Sequence, residues 1–298
     1  MRYLLATLFF ITATGVGAAA EKLGGREIVD ALGAHVRLVE TPARVVTLIP
    51  SLGELAADLC DGKFERILAV SNSTDYPPAL TTKPSVGPYP HLNLEKILAL
   101  KPDLVLATQS GNSKDQIEHL RELGVPVVVV RTESFAEIQE SILLVGRAMG
   151  AGDTAAKLLS RFQTGLAHFK SRGVLHEGAR KRVLLQVGES PLVVVGGKSY
   201  LSEALEWVGA RNIFSDLPSA YPRPSFETLL QRDPDAILIL ALGNDPGYFV
   251  KMQHAWNEHP KLKAVKSNAV QLLQADELLR PSLRLLEGLG RLEKVIYP

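Results

Sequence analysis

Residues 89–106 read YPHLNLEKILALKPDLVL and residues 221–238 read YPRPSFETLLQRDPDAIL, one pattern written twice at an offset of 132 residues. Without any gap, Tyr89/Tyr221, Pro90/Pro222, Glu95/Glu227, Leu98/Leu230, Pro102/Pro234, Asp103/Asp235 and Leu106/Leu238 are identical pairs. Each copy runs from an aromatic-proline pair through a short loop into a short helix, a Pro-Asp turn and a buried strand. Asn93 and Ser225 are N-cap residue types, which places Glu95 and Glu227 in the first helical turn, where a carboxylate meets the positive helix end. Both glutamates are expected near the surface. A period this long does not suit a solenoid and fits two similar lobes, with function between them.

The flanking sequence supports the same reading. REIVDALGAHVRLVE alternates around a turn-prone ALGAH and predicts a small hairpin. RVVTLI, ILAVS, DLVLA and PVVVV are apolar runs of strand length, separated by stretches of helical spacing such as DQIEHLREL, and they predict parallel sheet covered on both faces. Ser134 and Glu137 form a capping box ahead of Phe135, Ile138, Ile142, Val145 and Met149. A second helix follows at once, with Asp153 expected as its cap, Leu158, Leu159, Phe162, Leu166 and Phe169 on one side and Gly173 beyond its end. About twenty helical residues span roughly 30 Å, the width of a small lobe. The expected fold is therefore α/β: two lobes with largely parallel sheets, residues 21–151 and 174–298, bridged by a single long helix at 152–173. The second lobe restarts with RVLLQVG as the first began with RVVTLIP, and PSLRLLEGLGRLEKVI closes the chain as an amphipathic helix.

Composition narrows the partners. With 298 residues and 46% hydrophobic content the chain can build two cores. Lys plus Arg at 33 against Asp plus Glu at 32 leaves no basic footprint for nucleic acid. Residues 1–20 begin with Arg2, continue through an apolar run and end in small residues with Ala18 and Ala20 placed for cleavage, so a secretory signal cut after Ala20 is expected. The single cysteine, Cys60, sits in an apolar helical run and is expected to be buried.

No GxxxxGK[ST], HExxH, paired-cysteine motif or G-x-S-x-G elbow is present, and the glycines around Gly196 and Gly197 lack the dinucleotide pattern, so no catalytic or metal-ligating residue is nominated and no cofactor is expected. What remains is a group of loop residues at lobe edges. Tyr89 and Tyr221 precede prolines, and two facing lobes would aim both rings at one cleft. Two readings stay open for Tyr76 in DYPP, a cleft aromatic and a plain β-turn, and for Asp276 with Arg280 after the last strand, a cleft pair and a surface ion pair.

At this point the chain resembles the substrate-binding proteins of ABC importers for cobalamin, haem and iron-siderophores. The resemblance rests on RVVTLIPSLGEL, SNSTDYPP, VGPYPHLNLEKILALKPDLVLA, the bridging helix, RVLLQVG and YPRPSFETLL, nearly the whole mature chain. It implies a monomeric, non-enzymatic periplasmic receptor that captures a bulky ligand and docks on an ABC permease dimer. Carried over position by position, it implies ligand-binding roles for Tyr76, Tyr89, Tyr221, Asp276 and Arg280, and permease docking through Glu95 and Glu227. Within that family it points to the cobalamin-binding branch, although both repeat aromatics are Tyr here where a cobalamin receptor carries Trp. Tyr89 with His91 leaves an iron-tetrapyrrole ligand open, Arg223 and Arg280 leave a siderophore open, and an exported tetrapyrrole enzyme on the same scaffold is the reading from another class.

Overall fold

The structure, a computed structural model, describes residues 25–298 apart from Ser190, residues 242–245 and Ala275; the expected signal segment lies outside the described residues. The chain opens with β1 (Gly25–Val29) and β2 (His35–Val39), the expected antiparallel hairpin. Asp30 fastens its turn to the lobe: the carboxylate accepts from the Leu32 and Ala34 amides, from the Val129 amide at 3.1 Å and from Arg121. β3 (Val45–Thr47), α1 (Pro50–Leu59), β4 (Ile67–Ala69), α2 (Leu94–Ala99), β5 (Leu104–Thr108), α3 (Lys114–Glu122) and β6 (Val127–Val130) complete the first lobe. Its sheet is parallel in the order β4-β3-β5-β6. Strand burial explains the continuous apolar runs: Leu104, Leu106, Val128 and Val130 pack on one face and Val105, Ala107, Val127 and Val129 on the other.

α4 (Phe135–Ala148) starts at the Ser134 cap, whose Oγ accepts from the Glu137 amide, while the Glu137 carboxylate reaches back to the Glu133 amide. α5 (Gly152–Gly173) is the long bridging helix. Its cap differs from expectation. Ala151 holds the N-cap position with no side-chain bond, and Asp153 lies inside the first turn. The link from α4 is too tight for a capping side chain, because Gly150 turns back at φ +68° and the Ala151 amide already bonds the Gly146 carbonyl at 2.8 Å. Gly173 is the last helical residue rather than a terminator beyond it, and the Trp207 carbonyl comes within 2.4 Å of where its Cβ would stand.

The second lobe contains β7 (Arg182–Gly188), β8 (Val193–Val194), α6 (Tyr200–Trp207), β9 (Arg211–Asn212), α7 (Phe226–Arg232), β10 (Ala236–Ala241), α8 (Pro246–Ala255), α9 (Lys263–Lys266), β11 (Val270–Gln274), α10 (Asp276–Leu279) and α11 (Leu285–Ile296). β11, β10, β7 and β9 run parallel, and the short β8 folds back antiparallel on β7.

The sequence repeat is a structural repeat down to single hydrogen bonds. The Asp103 carboxylate accepts from the Arg44 amide at 2.8 Å and its own amide donates to the Arg44 carbonyl; Asp235 and Arg182 make the same two bonds at 2.9 and 2.8 Å. Each Asp thus ties the Pro-Asp turn to the start of a strand inside the lobe's sheet, at Arg44 just before β3 and at Arg182, the first residue of β7. The two arginines also close the short helices alike, Arg44 donating to the Leu100 and Lys101 carbonyls and Arg182 to those of Arg232 and Asp233. Lys101 and Asp233, equivalent at the same offset, both adopt positive φ, 46° and 39°.

One apolar core runs through both lobes. The inner faces of the two sheets, α1, α4 and α5 on one side and α6 and α11 on the other, bury side chains into a continuous cluster that includes Phe162 and Leu166 of the bridging helix, whereas the outer faces form a separate cluster in each lobe. Lobes that share a core resist rigid-body separation, because opening would expose close-packed apolar surface. Cys60 lies in this core as expected.

Candidate ligand-binding cleft

Open parallel sheets collect ligands beyond the carboxyl ends of their strands. Here that end of β3 opens into a cavity of about 460 Å³ lined by Ile49, Pro50, Ser51, Ser73, Asp75 and Tyr89 from the first lobe and Leu279, Arg280 and Pro281 from the second. The cavity therefore lies between the lobes. Tyr89 is held there from behind by Asn112, a buried residue whose amide donates to the Tyr89 carbonyl at 3.2 Å and to the Leu48 carbonyl at 3.4 Å, while its oxygen accepts from the Thr108 amide at 2.9 Å. Asn112 thus moors the Tyr89 loop to the ends of β3 and β5.

Tyr221, the equivalent residue of the second lobe, does not itself line this cavity. Its residue is 47% exposed. Burial nonetheless raises the pKa of its hydroxyl above the usual tyrosine range, opposed by a bond to Ser199 and reinforced by the Glu133 carboxylate and the Tyr89 hydroxyl. Glu133 and Tyr89, both of the first lobe, are thus among the groups whose charge acts on Tyr221. The Tyr221 loop lies along residues 194–198, with backbone bonds from Val194 to the Pro222 carbonyl and from Gly196 to the Ala220 carbonyl. A Cβ at Gly196 would stand 2.2 Å from the Ser219 carbonyl oxygen, so the glycine is required by this close approach, which gives Gly196 a role the sequence had not suggested.

Arg280 is the electrostatic centre. It is 8% exposed, not a surface residue. Its guanidinium makes a bidentate pair with Asp75, donates to Glu54 Oε1 at 3.2 Å and meets Asp276 only at 3.8 Å, too long for a hydrogen bond. The Asp276–Arg280 contact read from the sequence is thus the weakest of the three, and the principal partners come from the other lobe. Glu54, buried on α1, also accepts from Ser282 Oγ at 2.6 Å and from Arg284 at 3.2 Å, so α1 is joined to the segment leading into α11. Burial works against the Arg280 charge, but the bonds to Asp75 and Glu54 outweigh it and hold the proton more tightly than usual; the bond from Arg280 holds Asp75 below the usual carboxylate range despite partial burial.

Tyr76 is 39% exposed, and the Arg284 guanidinium lies over its ring at 3.8 Å from the centroid. It packs against the ion-pair cluster rather than lining the cavity. Glu95 and Glu227 are both exposed at helix starts, behind Asn93, which accepts from the Lys96 amide at 2.9 Å, and Ser225, which accepts from the Thr228 amide at 3.2 Å. They lie outside the cleft, one on each lobe. Asn112, Asp75, Glu54 and Arg284 were not singled out from the sequence. Asp75 alone carried a local signal, its place beside Tyr76 in DYPP. Among the described residues no group of three metal-ligating side chains occurs, and no helix is long and apolar enough to cross a membrane.

Comparison with known proteins gives this geometry a family. The vitamin B12-binding protein of Pectobacterium carotovorum is 32% identical over 227 residues, covering 76% of this chain and 80% of that protein. The crystal structure of the periplasmic vitamin B12-binding protein of Vibrio cholerae superposes with a TM-score of 0.73 at 28% identity, over 86% of this chain and 96% of that one. A periplasmic haem-binding protein of Pseudomonas aeruginosa superposes with a TM-score of 0.74 at 25% identity, over 86% and 93% of the two chains. Residues 45–277 match the sequence profile described as Periplasmic binding protein, and the chain belongs to that family.

Proposed function

We propose that this protein is a periplasmic receptor that captures cobalamin or a related corrinoid between its lobes, residues 21–151 and 174–298, and delivers it to an ABC importer. The observation that carries the reading is a cavity between the lobes, lined by Tyr89 from the first lobe and by Leu279, Arg280 and Pro281 from the second. In this reading Tyr221, the partner of Tyr89 in the duplicated motif, contacts the ligand from the second lobe, and two flat aromatic side chains suit a large, flat ligand, each contact being worth about 1 kcal/mol beyond burial. The similarity to proteins named for vitamin B12 binding supports the ligand class. In this reading Arg280 forms the floor of the site, Tyr76 reaches the ligand from beside the ion-pair cluster, Asp276 stands at its edge, and the segment 1–20 is an export signal cleaved after Ala20. Glu95 and Glu227 form the two-point surface that meets the permease dimer, and the receptor works as a monomer without a cofactor of its own.

The test is retention. Purified protein is incubated with cyanocobalamin or with haemin, desalted, and its absorption spectrum recorded. Retained corrinoid is the expected result. Retained haemin with a shifted Soret band and no retained corrinoid overturns the ligand assignment, and turnover of either compound in the absence of a permease favours an enzyme.

A further inference from the structure

Among the described residues that line the cleft, Asp75 and Arg280 are the charged ones, and they are bonded to each other. A guanidinium in a tetrapyrrole-sized cleft would ordinarily serve as an anchor for ligand carboxylates, since the fork geometry matches them. This one is already taken. Two of its nitrogens face the two Asp75 oxygens, one of these also donates to Glu54, and the other approaches the Ser73 carbonyl at 3.5 Å. Behind it Arg284 is shared between Glu54 and Glu277, and Arg291 pairs with Glu277 at 2.6 Å. Along this chain four carboxylates, Glu54, Asp75, Asp276 and Glu277, face three guanidinium groups, so the floor is not cationic overall. The side chain of Asp75 is 58% exposed while that of Arg280 is 10% exposed. The surface offered to a ligand is therefore mainly the carboxylate, an acceptor of N–H groups and a repeller of carboxylates.

We propose that Asp75 is the charge-selectivity residue of the cleft: by occupying Arg280 it makes the site accept a ligand whose periphery carries uncharged, hydrogen-bond-donating amides and reject tetrapyrroles bearing free carboxylates. The inference rests on the reading of the cleft as the ligand site, and it deepens that reading by naming the ligand's charge class. Discrimination arises from a repulsive element as much as from an attractive one, because a carboxylate brought against Asp75 finds a like charge and no free guanidinium.

The experiment compares the full chain and its Asp75→Asn variant for binding of three probes: cyanocobalamin, mesoporphyrin IX with its two carboxylates, and the uncharged mesoporphyrin dimethyl ester in dilute detergent. Asp75→Asn is expected to raise affinity for the diacid by at least ~10-fold with no comparable gain for the diester, and Asp75→Glu to restore rejection. An unchanged diacid affinity in a folded Asp75→Asn protein overturns the proposal, and so does an equal gain for the diester. If Asp75→Asn does not fold, the wild-type chain decides alone. Its diacid affinity must rise with salt as the repulsion is screened, and a flat salt response overturns the proposal. Cobalamin retention by the wild type reports separately on the proposed function, so the two can fail independently.

Discussion

The ring of Phe135 lies stacked on that of Trp207, centroids 4.8 Å apart and planes inclined by 24°, across the junction of the two lobes. Phe135 opens α4 in the first lobe, and Trp207 closes α6 in the second. The Tyr200 ring meets Phe135 edge-on at 6.4 Å, and the Phe135 amide donates to the Glu203 carboxylate at 3.2 Å. Glu203 of one lobe thus supplies a bond to the free helix start of the other. Phe135 is 1% exposed, so truncation to Ala leaves a cavity in the shared core and should cost about 3–5 kcal/mol in urea unfolding. A loss below about 1 kcal/mol would mean that the lobes are held by the bridging helix alone.

The equivalent bonds of Asp103 and Asp235 allow an internal comparison. Asp103 accepts from two amides, those of Ala43 and Arg44, and Asp235 from the Arg182 amide. Replacement by Ala should destabilise at both sites by about 0.5–1.5 kcal/mol per bond, with the larger loss at Asp103, where two amides lose their carboxylate acceptor. Equal losses in urea unfolding would show that only the shared strand-end bond matters.

What could be read in the sequence was what repeats or alternates locally. The duplicated helix starts, the parallel strands and the bridging helix follow from N-cap types, apolar runs and 3.6-residue spacing, and all are found. The cleft chemistry was legible in part. Tyr89, which lines the cavity, emerged because the repeat singled it out together with Tyr221, whereas the partners of Arg280 did not emerge, because Glu54 lies 226 residues and Asp75 205 residues away. A local i,i+4 neighbour such as Asp276 attracts attention in a sequence, but the buried arginine found stronger carboxylates in the other lobe. Phe135 and Trp207 likewise each fit an ordinary helix face, and nothing local told that the faces meet.

Gly196 offers a test of how the Tyr221 loop is held. Ala at this position drives a methyl group into the Ser219 carbonyl and against Pro222, so the Tyr221 loop must move outward. Corrinoid affinity is expected to fall by at least ~10-fold in Gly196→Ala, while the circular dichroism stays that of a folded α/β protein. Unchanged affinity in calorimetry would remove the Tyr221 loop from the binding site.

Asp58 provides a pH prediction. It lies one turn from Glu54 on α1, and its pKa is pushed up to about 6, first by burial and then by the Glu54 charge, with Arg161 and Arg284 pulling the other way. A carboxyl group whose folded value lies above its unfolded value of ~3.9 binds its proton more tightly when folded. Its favourable contribution is complete below pH ~4 and is lost as the pH rises through 6. Asp58→Asn should therefore raise Tm relative to wild type more at pH 7.5 than at pH 4; the shift will be modest because the residue also reaches solvent. The same shift at both pH values would remove the account of a carboxyl group whose pKa is raised on folding.

Glu95 and Glu227 pose the question of whether a duplicated surface feature is structural or functional. Each is exposed in the first turn of a short helix already capped by Asn93 or Ser225, so the local benefit of its charge is limited to the helix dipole, ~0.3–1 kcal/mol. Such a benefit is available to any acidic residue at either site and does not require both copies to have one. Two carboxylates on lobes that share one core are a fixed pair of points, and a two-fold symmetric permease with an arginine pocket on each subunit would engage both at once. Rim charges of this kind act on encounter and orientation more than on the final complex, so the effect should weaken as salt rises. The double variant Glu95→Gln, Glu227→Gln is expected to keep ligand affinity and Tm close to wild type while losing permease binding and ligand uptake, and each single variant should fall between. Wild-type uptake by the double variant at physiological salt would leave both glutamates as helix-start residues and place the docking surface elsewhere on the lobes.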